Sequence, residues 1–176
     1  MGLSIHYLFL RDKSPEPLLK KAEILAQKIG FKIEERAWNK LIINPHEDSE
    51  WIELHFHKAK TILKRKGWDL EKKQLERKRL GDFDSEDWIC GGFVKTPYAG
   101  YKIHIKVAEF MRIIAGHCEK SEVYDESGYY EEGYSKKSEQ KLKEFLDDYN
   151  KGLASMGNQL KEIFGTDKVL MGSDQW

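Results

Sequence analysis

Apolar positions along the chain fall into continuous runs, strict alternations and helical stripes. Ser4 to Leu10 is almost uninterrupted (Ile5, Tyr7, Leu8, Phe9, Leu10), with His6 the main polar position. Such a run suits a strand covered on both faces, hence a central one. Ser14-Pro15-Glu16 then gives a helix start, with a capping residue, Pro at the first helical position and an acid in the first turn. Leu18, Ala22, Leu25 and Ile29 follow at helical spacing, and Gly30 ends the run. Phe31 and Ile33 open a second strand that resumes at Leu41-Ile42-Ile43 beyond Trp38-Asn39. Trp51 to His57 predicts a third strand by alternation: Ile52, Leu54 and Phe56 take one face, Trp51, Glu53, His55 and His57 the other.

Lys58 to Leu80 fits no single period and suggests a short helix, then an exposed strand or surface loop. Trp88 to Val94 predicts a strand whose Gly91-Gly92 pair marks a bulge or a close backbone approach. From Tyr101 a helix carries Ile103, Val107, Phe110 and Ile114 and ends near Gly116. Val123-Tyr124 is a short last strand, and Asp125 to Tyr134 a polar, aromatic loop. A long helix over about 135–165 carries Leu142, Phe145, Tyr149, Leu153, Met156, Leu160 and Ile163, weakened at Gly152 and Gly157. Residues 166–176 have no period and read as a mobile tail.

The order β-α-β-β-β-α-β-α predicts one α+β domain over residues 1–165. Its expected form is a ferredoxin-like split βαβ sheet with helices on one face and an added long C-terminal helix. Right-handed crossovers would bring the loops that leave the first, fourth and last strands to one sheet edge. Those loops are Arg11 to Ser14, Lys95 to Gly100 and Asp125 to Glu131.

Composition narrows the class. The 176 residues hold 30 Lys+Arg against 30 Asp+Glu, without the basic excess of a dedicated nucleic-acid binder. An apolar share of 40% is too high for a disordered chain. There is no membrane-spanning run and no signal-peptide pattern at the N-terminus. Two cysteines, Cys90 and Cys118, make no disulfide framework and suit a reducing cytoplasm.

At the expected edge, Lys95 and Thr96 suit an anionic group, and Asp125 or Glu126 a cation or a general base. Six of the eight tyrosines (98, 101, 124, 129, 130 and 134) interleave with acids there. Rings beside carboxylates suit a cationic ligand or a protein interface, with Tyr98 and Tyr129 the candidate contacts. Some of these rings equally suit a core beneath a loop. Among the six histidines, His55 and His57 share a strand face. In a ferredoxin-like sheet His6 would approach them, giving a ligand set for a divalent metal. His104, one turn into its helix, is a candidate general acid or base alongside Asp125 and Glu126. Phosphate-loop, dinucleotide, hydrolase-elbow and zinc-binding motifs are absent. Residues 58–79 concentrate positive charge around Trp68, a pattern for RNA contact and equally for a solvated face.

The segments Phe93-Val94-Lys95-Thr96-Pro97-Tyr98-Ala99 and Asp125-Glu126-Ser127-Gly128-Tyr129-Tyr130, separated by a helix with His104, resemble a pattern in microbial proteins without an assigned activity. The resemblance points to the same two loops and implies no reaction. The expected function is a cytoplasmic module that binds a small molecule or a protein at the sheet edge, with a homo-oligomer open. A divalent-metal-dependent hydrolase and an RNA-contacting protein are the alternatives.

Overall fold

The computed structural model describes residues 3–64 and 83–164. The tail 166–176 and most of the basic segment 58–79 lie outside the described residues. The elements in order are β1 (Ser4–Arg11), α1 (Glu16–Lys28), β2 (Lys32–Ala37), β3 (Lys40–Asn44), β4 (Ile52–His55), β5 (His57–Lys58), α2 (Ala59–Lys64), β6 (Trp88–Lys95), α3 (Tyr101–Ala115), β7 (Lys120–Asp125), α4 (Tyr129–Glu132) and α5 (Lys136–Phe164). Among the described residues, no helix is long and apolar enough to cross a membrane.

The α+β class holds, but the single ferredoxin-like sheet does not form. Strands divide into a four-stranded sheet, β5-β6-β1-β7, and a three-stranded sheet, β2-β3-β4, both antiparallel. β1 is central as its apolar run requires. It pairs antiparallel with β6 on one side and β7 on the other, so β6-α3-β7 is a crossover that spans β1. After α1, by contrast, the chain leaves this sheet. The predicted second strand folds back at Trp38 and Asn39 into the β2–β3 hairpin, and β4 pairs with β3.

Residues 52–58 join the two sheets. β4 belongs to one and β5 to the other, and the switch falls at Phe56, which is fully buried. Asn39 holds this corner: its carbonyl accepts from the Phe56 N–H at 2.9 Å, and its amide donates to the Phe56 carbonyl at 3.0 Å. Such corners, made by a strand that changes sheets, let two sheets share one core. That core unites Ile5, Tyr7, Phe9 and Val94 with Leu41, Ile43, Ile52 and Leu54, beneath α1, α3 and Leu142 and Leu146 of α5.

A second tie runs through Tyr7. Its hydroxyl donates to the Glu53 carbonyl at 2.9 Å and accepts from the Glu53 N–H at 3.2 Å, linking β1 to β4. The ring crosses β6 where Gly92 leaves room. A Cβ there would stand 2.6 Å from the Tyr7 hydroxyl oxygen, so the glycine pair predicted to mark a close approach has a defined cause. α5 runs as one uninterrupted helix through Gly152 and Gly157, and α4 is a helical turn inside the stretch expected to be loop.

Candidate functional site

Antiparallel pairing sorts the three expected loops differently. Lys95 and Asp125 lie beside Ser4 and Ile5, at the start of β1. Arg11, at its far end, pairs with Trp88, and its guanidinium donates to the His117 carbonyl at 2.6 Å. The β6–α3 and β7–α4 loops therefore share an edge, and residues 11–14 lie at the opposite end.

Between the two loops sits a polar chain, buried except at Ser127, which is half-buried. His104 Nδ1 is 2.6 Å from Thr96 Oγ1, and its Nε2 is 2.9 Å from Asp125 Oδ2 and 3.1 Å from Ser127 Oγ. Thr96 and His104 are 0% exposed. Nε2–H donates to the Asp125 carboxylate, and Nδ1 shares the second bond with the Thr96 hydroxyl, the donor there being set by the ring's tautomer. Asp125 accepts three further bonds: from the Ser127 N–H and hydroxyl, both 2.8 Å, and from the Tyr130 N–H at 3.1 Å. In return Glu131 accepts from the Asp125 N–H at 2.9 Å, a reciprocal arrangement like a capping box at the start of α4. Burial pushes the Asp125 carboxyl up, but the hydrogen bond and charge of His104, with the Ser127 donors, hold it below the ordinary carboxylate range.

The hydroxyl, imidazole and carboxylate have the spacing of a nucleophile–base–orienter chain. A nucleophile must meet substrate, however, and Thr96 and His104 meet only protein. Their geometry instead pins the end of β6 to the end of β7. Tyr129, expected at the surface, is 2% exposed, and among the described residues its hydroxyl has no hydrogen-bond partner. Burial, then Glu109, pushes that phenol up to about 12.

Open chemistry lies just outside this chain. A cleft of about 450 Å³ is lined by Asp48, Glu50, Lys95, Pro97, Tyr98 and Tyr149, with Ser49 between the two acids. Three distant segments build it: the β3–β4 loop, the β6–α3 loop and the middle of α5. The Glu50 N–H donates to the Lys95 carbonyl at 2.9 Å, and Lys95 Nζ lies 3.2 Å from Glu50 Oε1. Lys95 thus pairs with an acid of the β3–β4 loop rather than with Asp125. Tyr98 is 68% exposed. Burial raises the Tyr149 phenol, and Tyr98 and Glu126 add to the rise against Lys95.

The expected metal ligands do not converge. His57 pairs with Ile89 and His6 with Phe93, four positions apart along β6, about 13 Å at strand rise. His6 packs between Phe93 and Tyr124, with Nε2 3.4 Å from Glu126 Oε1. His55 and His57 have ring centroids 3.8 Å apart on another part of the sheet. Among the described residues, the group with ligand atoms close enough for a cation is His46, Glu47 and Asp48, on the partly exposed β3–β4 loop. His46 Nδ1 there already accepts from the Asp48 N–H at 3.1 Å.

Of the residues singled out in the sequence, Lys95 and Tyr98 line the cleft, Thr96, His104 and Asp125 form the sealed chain, and Glu126 caps the Ser4 N–H at 2.8 Å. Asp48, Glu50, Ser127 and Tyr149 were missed. The Asp125-x-Ser127 spacing, which favours a local side-chain turn, was the available signal for Ser127. The chain matches no family model, and no curated protein or solved structure matches it either. Function must be argued from geometry.

Proposed function

We propose that this protein is a binding module that takes a small organic cation in the edge cleft, between Tyr98 and Tyr149. The composition of the cleft supports the reading: two phenol rings, the carboxylates of Asp48 and Glu50, and one ammonium, Lys95, already neutralised by Glu50 at 3.2 Å. Net negative charge beside ring faces favours ammonium or guanidinium groups through Coulomb and cation–π attraction together. The buried Thr96–His104–Asp125 chain, with half-buried Ser127 at its end, acts here as backing that fixes one wall, so little ordering is needed on binding. The free thiols of Cys90 and Cys118 accord with a reducing compartment.

Calorimetric titration with arginine, choline and spermidine, against acetate and phosphate, tests this. Binding of at least one cation is expected, with affinity falling about tenfold in Tyr98→Ala. No heat and no amide shift around Tyr98 with any of the three would remove the reading.

A further inference from the structure

The face of the β5-β6-β1-β7 sheet turned away from the main core has two halves. In one, Leu8, Leu10 and Ile89 are buried with Ala59 and packed by Phe83. The other is open. There Phe93, His6 and Tyr124 stand side by side on three adjacent strands, ring centroids 5.9 and 6.2 Å apart. Phe93 is 49% and Tyr124 53% exposed. One row further along the strands, Ser4 is flanked by Lys95 on the β6 side and by Glu126 on the β7 side. Lys95 Nζ lies 5.4 Å from the Phe93 ring centroid, and Glu126 reaches His6. Opposite charges therefore close the two ends of an aromatic row.

We propose that this row is a homodimer interface, on which a second copy of the chain packs the same row face to face about a two-fold axis along β1. Rotation about that axis exchanges the β6 and β7 sides. Phe93 then meets the partner's Tyr124, His6 meets the partner's His6, and Lys95 meets the partner's Glu126. The surface is complementary to itself in this one orientation, as an isologous contact must be. Facing sheets stand about 10 Å apart, a gap that Lys and Glu side chains close together. Both charges keep intrachain partners, Glu50 for Lys95, and the Ser4 N–H and His6 for Glu126. The cross-copy pairs accordingly set orientation, and the rings supply the buried area.

Charge also separates this occupant from a single-stranded nucleic acid, which aromatic rows on sheets can stack. Glu122 and Glu126 flank the β7 side of the row and repel phosphates. A second copy instead brings a lysine to that side. The open half is small, so the dimer is expected to be weak and concentration-dependent.

Sedimentation velocity of the full chain from about 1 to 300 µM gives the test, with circular dichroism melts as a folding control. A monomer–dimer equilibrium is expected. Phe93→Ser, at an exposed site that leaves the fold intact, should weaken it about tenfold or more. Lys95→Glu and Glu126→Lys should each do the same, because each places like charges at both ends of the contact. Mixing those two variants should restore the dimer, since every cross-copy pair is then again of opposite sign. A wild-type monomer throughout the range, or no recovery on mixing, overturns the proposal. A monomer that binds a labelled oligouridine with steep salt dependence assigns the row to bases instead. The readout involves no ligand, so its failure leaves the cation-cleft reading standing.

Discussion

Gly92→Ala probes how the two sheets are held in register, and with them the cleft built across both. The added methyl would sit 2.6 Å from the Tyr7 hydroxyl oxygen and 2.9 Å from Cζ, distances that Cβ atoms do not sustain. The ring cannot simply slide away. Its hydroxyl is engaged with both the carbonyl and the N–H of Glu53, and its face stacks on Phe9 with centroids 5.4 Å apart. Overpacking in a tight core costs about 1–3 kcal/mol. Loss of the Tyr7 bonds adds about 1 kcal/mol, for a total near 2–4 kcal/mol. Tyr7→Phe alone, which removes the hydroxyl but leaves the ring, should cost about 1–2 kcal/mol. In that background the closest clashing atom is gone and the ring is released from Glu53. Gly92→Ala should then cost about 1–2 kcal/mol less than in the parent. Urea unfolding of the four proteins, with unchanged m values, measures the cycle. Additivity within about 0.5 kcal/mol would show that methyl and hydroxyl do not compete, and would refute the argument.

Three further outcomes follow from the buried groups. His104→Ala should destabilise by about 3 kcal/mol, the lower end for breaking a buried pair, because Asp125 keeps the Ser127 and Tyr130 donors; a urea midpoint shift worth under about 1 kcal/mol would contradict the proposed clamp. The depressed Asp125 carboxyl contributes stability that is complete above the ordinary carboxylate range and lost as pH falls through its lowered native value. Asp125→Asn should therefore flatten the acid side of the stability–pH curve measured by thermal melts. Burial pushes the Cys118 thiol up to about 12, despite the opposing charge of Arg11, and raises Cys90 further. Neither should react with iodoacetamide in native protein at neutral pH, while both should in urea, as mass spectrometry of the adducts would show.

Local pattern carried the elements better than their partners. The β1 run, the Pro15-to-Gly30 helix, the Tyr101 helix and the long C-terminal helix were legible because side-chain period reflects burial of the element itself. Which strands pair depends on contacts between distant segments, and no period records them. The break at Trp38-Asn39 was visible in the sequence, but that it is a turn, and that it sends the hairpin into a second sheet, rests on Asn39 gripping Phe56. The site divides in the same way. Lys95 and Tyr98 were legible from one loop, whereas Asp48, Glu50 and Tyr149 reach them only through the docking of the second sheet and α5. His104 carried a signal that went unused. It falls three, four and seven residues before Val107, Ala108 and Met111, all buried, which places it on the inward face of α3 rather than in solvent.

The central place of β1 bears on how the chain comes to be folded. β1 precedes the other described strands, yet both neighbours that complete it lie much further along, at Trp88–Lys95 and Lys120–Asp125; the contact of His6 with Glu126 spans 120 positions. Until residues 88–125 have emerged, an apolar segment with two unsatisfied edges has nothing native to join. Such long-range closure slows folding and lengthens exposure to mispairing. Moving β1 to the chain's end by circular permutation would shorten that wait, and a faster refolding rate would be its signature.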